Sequence, residues 1–249
     1  MKSLSKLAFS FLLVSSISAA QQAKLNRDDV ASFKKKLVAV LNALGQAPQG
    51  YKSETSKENY NLPTETWMSE GSYNLANGSA HREYSANPWT EEDQKQYSTK
   101  VQAAQAKGDM NEVVRLSQEM QQKAYQAAAA AQENPPIRVE VLLNSGGGET
   151  IDPDAVVMEG PGFIALRSKE GMSEGSERVR IYCDPVSLKD TKSLSKVEME
   201  QGDGEGSASR KITSKTAVKF ITIQMEGQID KIEPWVKKIS PKSVLAQID

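Results

Sequence analysis

The sequence contains very few of the residues that most often carry catalytic or metal-binding chemistry. Among its 249 residues there is one cysteine, Cys183, and one histidine, His81. A single cysteine excludes an intramolecular disulfide, and a single histidine excludes every metal site that needs several imidazoles. We therefore expect no catalytic residues, no cofactor-binding residues, no metal site and no disulfide framework.

The sequence also lacks an excess of positive charge. Its 31 basic and 32 acidic side chains give a formal net charge of −1, which becomes −3 if Lys2 and Lys6 are removed with the first 20 residues. Proteins that bind the nucleic-acid backbone present a basic field. The balanced, mildly acidic composition therefore predicts that nucleic acid is not a partner.

Beyond the N-terminus there is no long apolar run. Residues 7–20 form one apolar segment after Lys2 and Lys6, but it is too short for a typical transmembrane helix. Ser18 and Ala20 are small residues at the positions that a signal peptidase reads. We predict that residues 1–20 are a signal peptide, cleaved near Ala20, and that the mature chain has no transmembrane segment; an uncleaved anchor is the alternative. An exported chain without disulfides favours the bacterial periplasm, with secretion as the other destination.

Residues 21–50 predict an N-terminal amphipathic helix. Apolar residues recur every three or four positions from Asp28 to Leu44, which makes one apolar stripe. Asn26 or Asp28 can cap the first turn, and Gly45 can end the helix in a left-handed conformation. Packing of the stripe on its own domain is the favoured interpretation, and binding to a membrane surface is the alternative.

Residues 51–89 predict an extended, aromatic-containing segment, interrupted by glycine and proline, with a strand from Ser79 to Ser85. Its aromatic side chains can pack on a sheet or line a groove. Three of them are candidate contacts for a small ligand or glycan: Trp67, Tyr73 and Trp89.

Residues 90–134 predict an antiparallel helical hairpin rich in glutamine and alanine. Thr90 and Asp93 resemble a capping box, Gly108 ends the first helix, and Asp109 with Glu112 repeats the boxed pattern. A thin apolar seam follows at helical spacing, similar to that of a short coiled coil. A hairpin that lies on the sheet as ordinary scaffold is the alternative to an arm that contacts a partner. The members of the seam are candidate contacts for a partner or for self-association: Tyr97, Val101, Val113, Leu116 and Met120.

Residues 135–249 change to a period of two. Alternation in 137–143, 178–183 and, more weakly, 194–200 predicts strands, as do 155–158, 163–166 and 217–225. A helix is predicted near 230–239, and the Gly-rich acidic stretch 201–209 predicts a loop. The resulting fold class is α+β: an antiparallel sheet covered by one or two helices, with an N-terminal helix and an inserted polar helical hairpin.

Four features that could carry chemistry favour structural interpretations. The glycines after Asn144 lack the Gly-Lys-Ser/Thr sequence and the helix of a phosphate-binding loop. The acids in 198–205 do not have calcium-loop spacing, and His81 lies in a polar segment in which nothing resembles the setting of a nucleophile. Cys183 shares a strand face with Val179 and Ile181, which predicts a buried thiol.

Three hypotheses for function follow. The first is an exported, non-catalytic interaction or binding protein of the bacterial cell envelope, whose helical hairpin contacts a protein partner or a second copy. The second is a small-ligand or glycan binder that uses the aromatic segment. The third is a hydrolase built on two carboxylates that are distant in sequence.

Overall fold

The computed structural model of the chain describes residues 21–53, 58–69, 71–86, 89–168, 177–199 and 212–249. The predicted signal peptide at 1–20 and the predicted acidic loop at 201–209 lie outside these residues. In chain order the elements are β1 (Gln21–Lys24), α1 (Arg27–Ala43), β2 (Lys52–Ser53), β3 (Asn59–Asn61), β4 (Glu65–Ser69), β5 (Ser72–Tyr73), β6 (Gly78–Ser85), α2 (Glu91–Ala106), α3 (Met110–Glu133), β7 (Ile137–Leu143), β8 (Glu149–Thr150), β9 (Val156–Gly160), β10 (Phe163–Ser168), β11 (Glu177–Cys183), β12 (Lys196–Val197), β13 (Ile221–Gly227), α4 (Ile229–Val236) and α5 (Pro241–Leu245).

An eight-stranded antiparallel sheet forms the body of the molecule. Its strand order is β2-β6-β7-β13-β11-β10-β9, and β3 pairs with β6 beside β2. Two smaller sheets, β1-β4-β5 and β12-β8, accompany it. The fold class predicted from the sequence, α+β with an antiparallel sheet, is confirmed.

One face of the large sheet is apolar because the strands alternate. In β13, Ile221, Ile223 and Met225 have no exposed surface, and the register places Ile223 between Val141 of β7 and Ile181 of β11. Helices α1, α4 and α5 cover this face, and their apolar side chains join the same core. Cys183 is fully buried there, and burial raises the pKa of its thiol to about 12.

Helix α1 begins and ends where the sequence indicates. The Asn26 side chain accepts a hydrogen bond from the Asp29 amide at 2.9 Å, and the Asp29 carboxylate accepts one from the Asn26 amide at 2.8 Å. Gly45 follows the helix with a φ of 71°. The apolar stripe lies on the domain's own core, where Phe33 and Leu37 are fully buried.

The second face of the sheet is divided into an apolar and a polar half. Over β10 and β11, the loop that carries Leu188 and strand β12, which carries Val197, bury a second, smaller core. Over β6, β7, β13 and β11, side chains of opposite charge alternate across the strands, and paired positions of this kind stabilise a sheet. This ladder consists of Glu83, Arg138, Glu226 and Arg178.

The Gly-rich stretch after β7 is a packed turn. Asn144, at a φ of 56°, donates from its amide nitrogen to the carbonyls of Ala76 and Ala217 and accepts from the Lys219 amide. Gly147 has a φ of 128°, and a Cβ there would lie 2.7 Å from Met199. Because the next residues form strand β8 rather than a helix, the turn is not a phosphate-binding loop.

Three predicted elements differ from the observed ones. The final helix is split: α4 ends at Val236, and α5 begins at Pro241 after a turn that buries Ile239. The weak alternation from Leu194 to Glu200 yields only the two-residue strand β12, and 217–220 precede β13 as a loop. In these stretches apolar residues enter the first or the second core from loops and turns, so their burial does not require strand pairing.

Candidate interaction surface on the helical hairpin

Helices α2 and α3 form the hairpin, and their ends are set by local hydrogen bonds. The Thr90 hydroxyl accepts from the Asp93 amide at 3.2 Å, and the Asp93 carboxylate accepts from the Thr90 amide at 3.0 Å, which completes the predicted capping box. Gly108 turns the chain with a φ of 72°.

The cap of α3 differs from the predicted box. The Asp109 side chain accepts from the Glu112 amide at 3.0 Å, as a helix cap should. The Glu112 carboxylate does not return to the Asp109 amide, because it binds the guanidinium of Arg115 one turn further on. This bond lowers the pKa of Glu112.

The hairpin is anchored at its base and stands off the sheet elsewhere. The Tyr51 hydroxyl donates to the Pro135 carbonyl at 3.2 Å, and the Gln228 side chain donates to the Glu133 carbonyl at 3.1 Å. Within the described part of the chain, α2 and α3 pack on each other, and neither makes more than marginal contact with another helix or strand. The hairpin is therefore a projecting arm fixed at one end.

The predicted seam lies between the two helices. Leu116 is 4% exposed, and Tyr97, Val101, Val113 and Met120 are half-buried. Alanines at 104 and 127 complete the seam. The five predicted partner contacts are thus brought together, but they are used mainly to join α2 to α3.

An aromatic cluster closes the base of the seam. The rings of Trp89 and Tyr97 meet edge to face with centroids 5.1 Å apart, and the Lys123 ammonium lies 5.5 Å from each ring centroid. Such cation–π contacts favour the charged lysine over a ring face. Trp89, which is predicted as a ligand contact, is thus buried at the base of the hairpin. It lies next to Tyr97, which is predicted as a partner contact.

The remaining predicted ligand contacts do not join Trp89. Trp67 on β4 is 48% exposed. Tyr73 on β5 pairs with Met68, the residue after Trp67 in β4. Because successive side chains of a strand point to opposite faces, Tyr73 lies on the other face of this sheet from Trp67. The three aromatic residues thus belong to three separate environments. The ligand-binding hypothesis stays a prediction without a shared pocket for these residues.

An uncharged groove runs along the open side of the hairpin. It has a volume of about 470 Å³, and Trp89 lies at one end of it. Its α2 side carries Gln94 and Ser98, and its α3 side carries the apolar residues Met120, Ala124, Ala127, Ala128 and Ala131.

Helix α3 also has an exposed apolar stripe, which adjoins this groove. It is not among the features predicted from the sequence. Met110 is 64% exposed, Val114 52% and Tyr125 80%, so three of the five most exposed large hydrophobic residues of the described chain lie on this helix. Successive residues of a helix are turned by about 100° around its axis. On this basis the three residues lie within an arc of about 60° around α3. Gln121, Ala128 and Gln132 lie in the same arc, and the six residues form the exposed stripe. The helical spacing of these three residues is a signal in the sequence, but the seam, about 110° away around the helix, has the more continuous apolar spacing.

The charges of α3 are segregated from this stripe. Its five charged residues fall within another arc of about 80°, centred on the other side of the helix: Glu112, Arg115, Glu119, Lys123 and Glu133. Arg115 binds both Glu112 and Glu119 there, so the charges of this arc compensate one another. The exposed stripe therefore contains no charge at all.

The residues that could carry chemistry elsewhere have structural partners. Glu149 accepts a hydrogen bond from the Tyr182 hydroxyl at 2.6 Å and lies 3.5 Å from Arg180, and burial together with this bond raises the pKa of Tyr182. His81 lies opposite Glu140 on the polar half of the sheet. Among the described residues, no group of three histidine, cysteine or acidic side chains is placed to hold a metal ion.

A larger concave region of about 780 Å³ lies between residues 44–51 and α4. Its lining mixes apolar residues such as Pro48 and Trp235 with polar ones, and its Lys231 is paired with Asp230 at 3.0 Å. None of the candidate contact residues predicted from the sequence lines it.

Comparison of the chain with protein-family models, with curated proteins and with solved structures finds no match. In the described residues, no helix has both the length and the apolar character needed to cross a membrane.

Proposed function

We propose that this protein is an exported, non-catalytic interaction protein of the bacterial cell envelope, in which the sheet is a rigid base and the hairpin is the arm that contacts a partner. The single observation that carries the proposal is the exposed, charge-free stripe of α3 on a hairpin that stands off the sheet. Exposed apolar side chains grouped on one surface are typical of interaction sites.

The energetics of the arm support this role. Apart from its anchors, the hairpin buries only Ala104, Leu116 and Ala127 deeply. Its helices are stabilised by caps and by the high helix propensity of alanine and glutamine. These local effects do not require the residues of the exposed stripe to be buried. An outer face that is apolar and not needed for folding is available for a partner.

The arm is tested by two charge-insertion variants of equal size. Val114→Lys with Tyr125→Lys places two charges on the exposed stripe, and the matched control Gln122→Lys with Gln126→Lys places two charges beside the charged arc. Cross-linking in the native envelope fraction, read by mass spectrometry, should recover the same adduct with the wild type and the control and lose it with the stripe variant. Equal recovery from all three would overturn the proposal.

A deletion gives the complementary test. Removal of Glu91–Glu133, with a short Gly-Ser linker joining Thr90 to Asn134, should leave the sheet folded and abolish the adduct. Folding is checked by near-UV circular dichroism, because Trp235 reports on the sheet core, where it is buried and donates to the Leu44 carbonyl at 2.8 Å. If the deletion variant folds and still forms the cross-linked adduct, the hairpin is not the surface that contacts the partner.

Export is tested separately. We expect the mass of the protein purified from its natural host to begin at Gln21, which is the first residue of β1, so that cleavage removes no described element. A chain that retains its first 20 residues would contradict the signal-peptide part of the proposal.

A further inference from the structure

The geometry points to a second copy of this chain as the occupant of the exposed α3 stripe, with the two α3 helices antiparallel about a twofold axis near Gln121. This inference rests on the proposed function of the hairpin as an interaction arm. It names the partner and the register of the contact.

The charge distribution favours a like partner. Because the five charged residues of α3 lie on the far side of the helix, two copies of the stripe meet without like charges facing each other. A strongly charged partner would find no opposite charge on the stripe, and its own charges would lose water without compensation. A second copy needs no counter-charge.

The order of large and small residues along the stripe favours an antiparallel arrangement. With the axis at Gln121, residue i of one copy lies opposite residue 242 − i of the other, because a twofold interface is self-complementary. Val114 then faces Ala128, and Tyr125 faces Ser117, so that a large side chain meets a small one in each case. Gln121 faces its own copy, and each amide can donate to and accept from the other.

A parallel arrangement lacks this complementarity. It would place each residue beside its own copy, so that Tyr125 meets Tyr125 while Ala128 meets Ala128. The large pairs would hold the helices apart where the alanines require close approach. The antiparallel register is therefore the one that packs both halves.

The area of the stripe sets the expected strength. A helix of 24 residues is about 36 Å long. One stripe of this length offers less than the roughly 800 Å² that each partner of a typical stable complex buries. The dimer should therefore be weak and dependent on concentration, and the adjoining groove beside Trp89 enlarges the contact.

The first test is sedimentation velocity of the purified protein over a wide concentration range. The wild type should shift from monomer to dimer as concentration rises. Gln121→Lys should remain monomeric at every concentration, because it brings two ammonium groups together at the axis. The matched control Gln126→Lys, which adds the same charge on the other side of α3, should dimerise as the wild type does.

The second test distinguishes the register from a general loss of association. Gln121→Lys and Gln121→Glu should each be monomeric alone and form a dimer when mixed, since opposite charges then face each other. In Gln121→Cys, mild oxidation should give a disulfide dimer, and the buried Cys183 should not compete. Far-UV circular dichroism checks that each variant keeps its helices.

A wild type that is monomeric at all concentrations would overturn the inference, and so would a mixture of the two charged variants that fails to associate. Failure of the proposed function is a different result. If the stripe variant Val114→Lys with Tyr125→Lys loses its envelope adduct while the wild type never dimerises, the arm contacts another protein and only the self-pairing is wrong.

Discussion

The large sheet and the helical hairpin obtain their structure from different sources. The sheet core is made of large apolar side chains that are 2% exposed or less, among them Phe33, Leu37, Ile223 and Trp235. Each such side chain contributes on the order of 1.5–3 kcal/mol by leaving water. The hairpin buries one large apolar residue deeply, Leu116, and otherwise relies on caps, turns and helix propensity.

In this chain the large sheet provides stability, and the hairpin leaves apolar residues available for recognition. A core that buries its apolar residues completely has none left to offer a partner. A hairpin held by local interactions can leave Met110, Val114 and Tyr125 exposed and still keep its shape.

Truncation of a central core residue should affect the sheet as a whole. Ile223→Ala removes a side chain with no exposed surface from the middle strand, and such changes cost about 2–5 kcal/mol. The counterpart Leu116→Ala should lower hydrogen-exchange protection in α2 and α3 only. If Leu116→Ala lowers the protection of β7 and β13 as strongly as Ile223→Ala does, the hairpin and the sheet unfold as one unit and the division is wrong.

The Gly-rich turn should behave as part of the core rather than as a loose connection. Gly147→Ala would bring its Cβ to 2.7 Å from Met199 at a positive φ, so we expect backbone strain and overpacking, each about 1–3 kcal/mol, to add in urea unfolding and to exceed the loss at Gly148. Gly148 is the control, because its φ of 85° is also positive while nothing lies within 4 Å of its added Cβ. Gly148→Ala should cost about 1–2 kcal/mol from backbone strain alone. Equal losses for the two variants would contradict close packing at Gly147.

The smallest effect is expected at the hairpin cap. Thr90→Ala removes the side-chain acceptor of the first turn of α2, and loss of a cap costs about 1 kcal/mol. Thr99→Ala, in the middle of the same helix, should leave stability unchanged or raise it, since alanine is the better helix former. Exchange of α2 amides with deuterium measures both. A cap variant indistinguishable from Thr99→Ala would show that tertiary contacts at Trp89 hold the helix start instead.

Local signals in the sequence predicted the elements that depend on near neighbours. The boxed residues Thr90 and Asp93, the turn at Gly108 and the alternation of 137–143 each specify a structure within a few positions, and each is observed. Hydrogen bonds of caps and the period of a strand depend little on the rest of the chain.

Long-range arrangement could not be predicted in the same way. The sequence predicts the strand at 79–85, but it does not predict that this strand pairs with β7, which follows the whole hairpin in the chain. The residues of a strand do not specify which other strand it pairs with. The seam of the hairpin was found from its spacing, whereas the exposed stripe is defined by the absence of any element packed against it. Such an absence becomes visible only when all neighbours are in place.

The position of β13 has a consequence for the order in which the protein is made. Among the described strands β13 comes last in the chain, yet it lies between β7 and β11 in the middle of the sheet. Until residues 221–227 have been synthesised, the strands on its two sides share no neighbour, and the apolar face cannot close. Contacts between distant segments also form slowly. The large sheet therefore cannot be completed before nearly the whole chain has been made, and we expect its assembly to follow synthesis rather than accompany it.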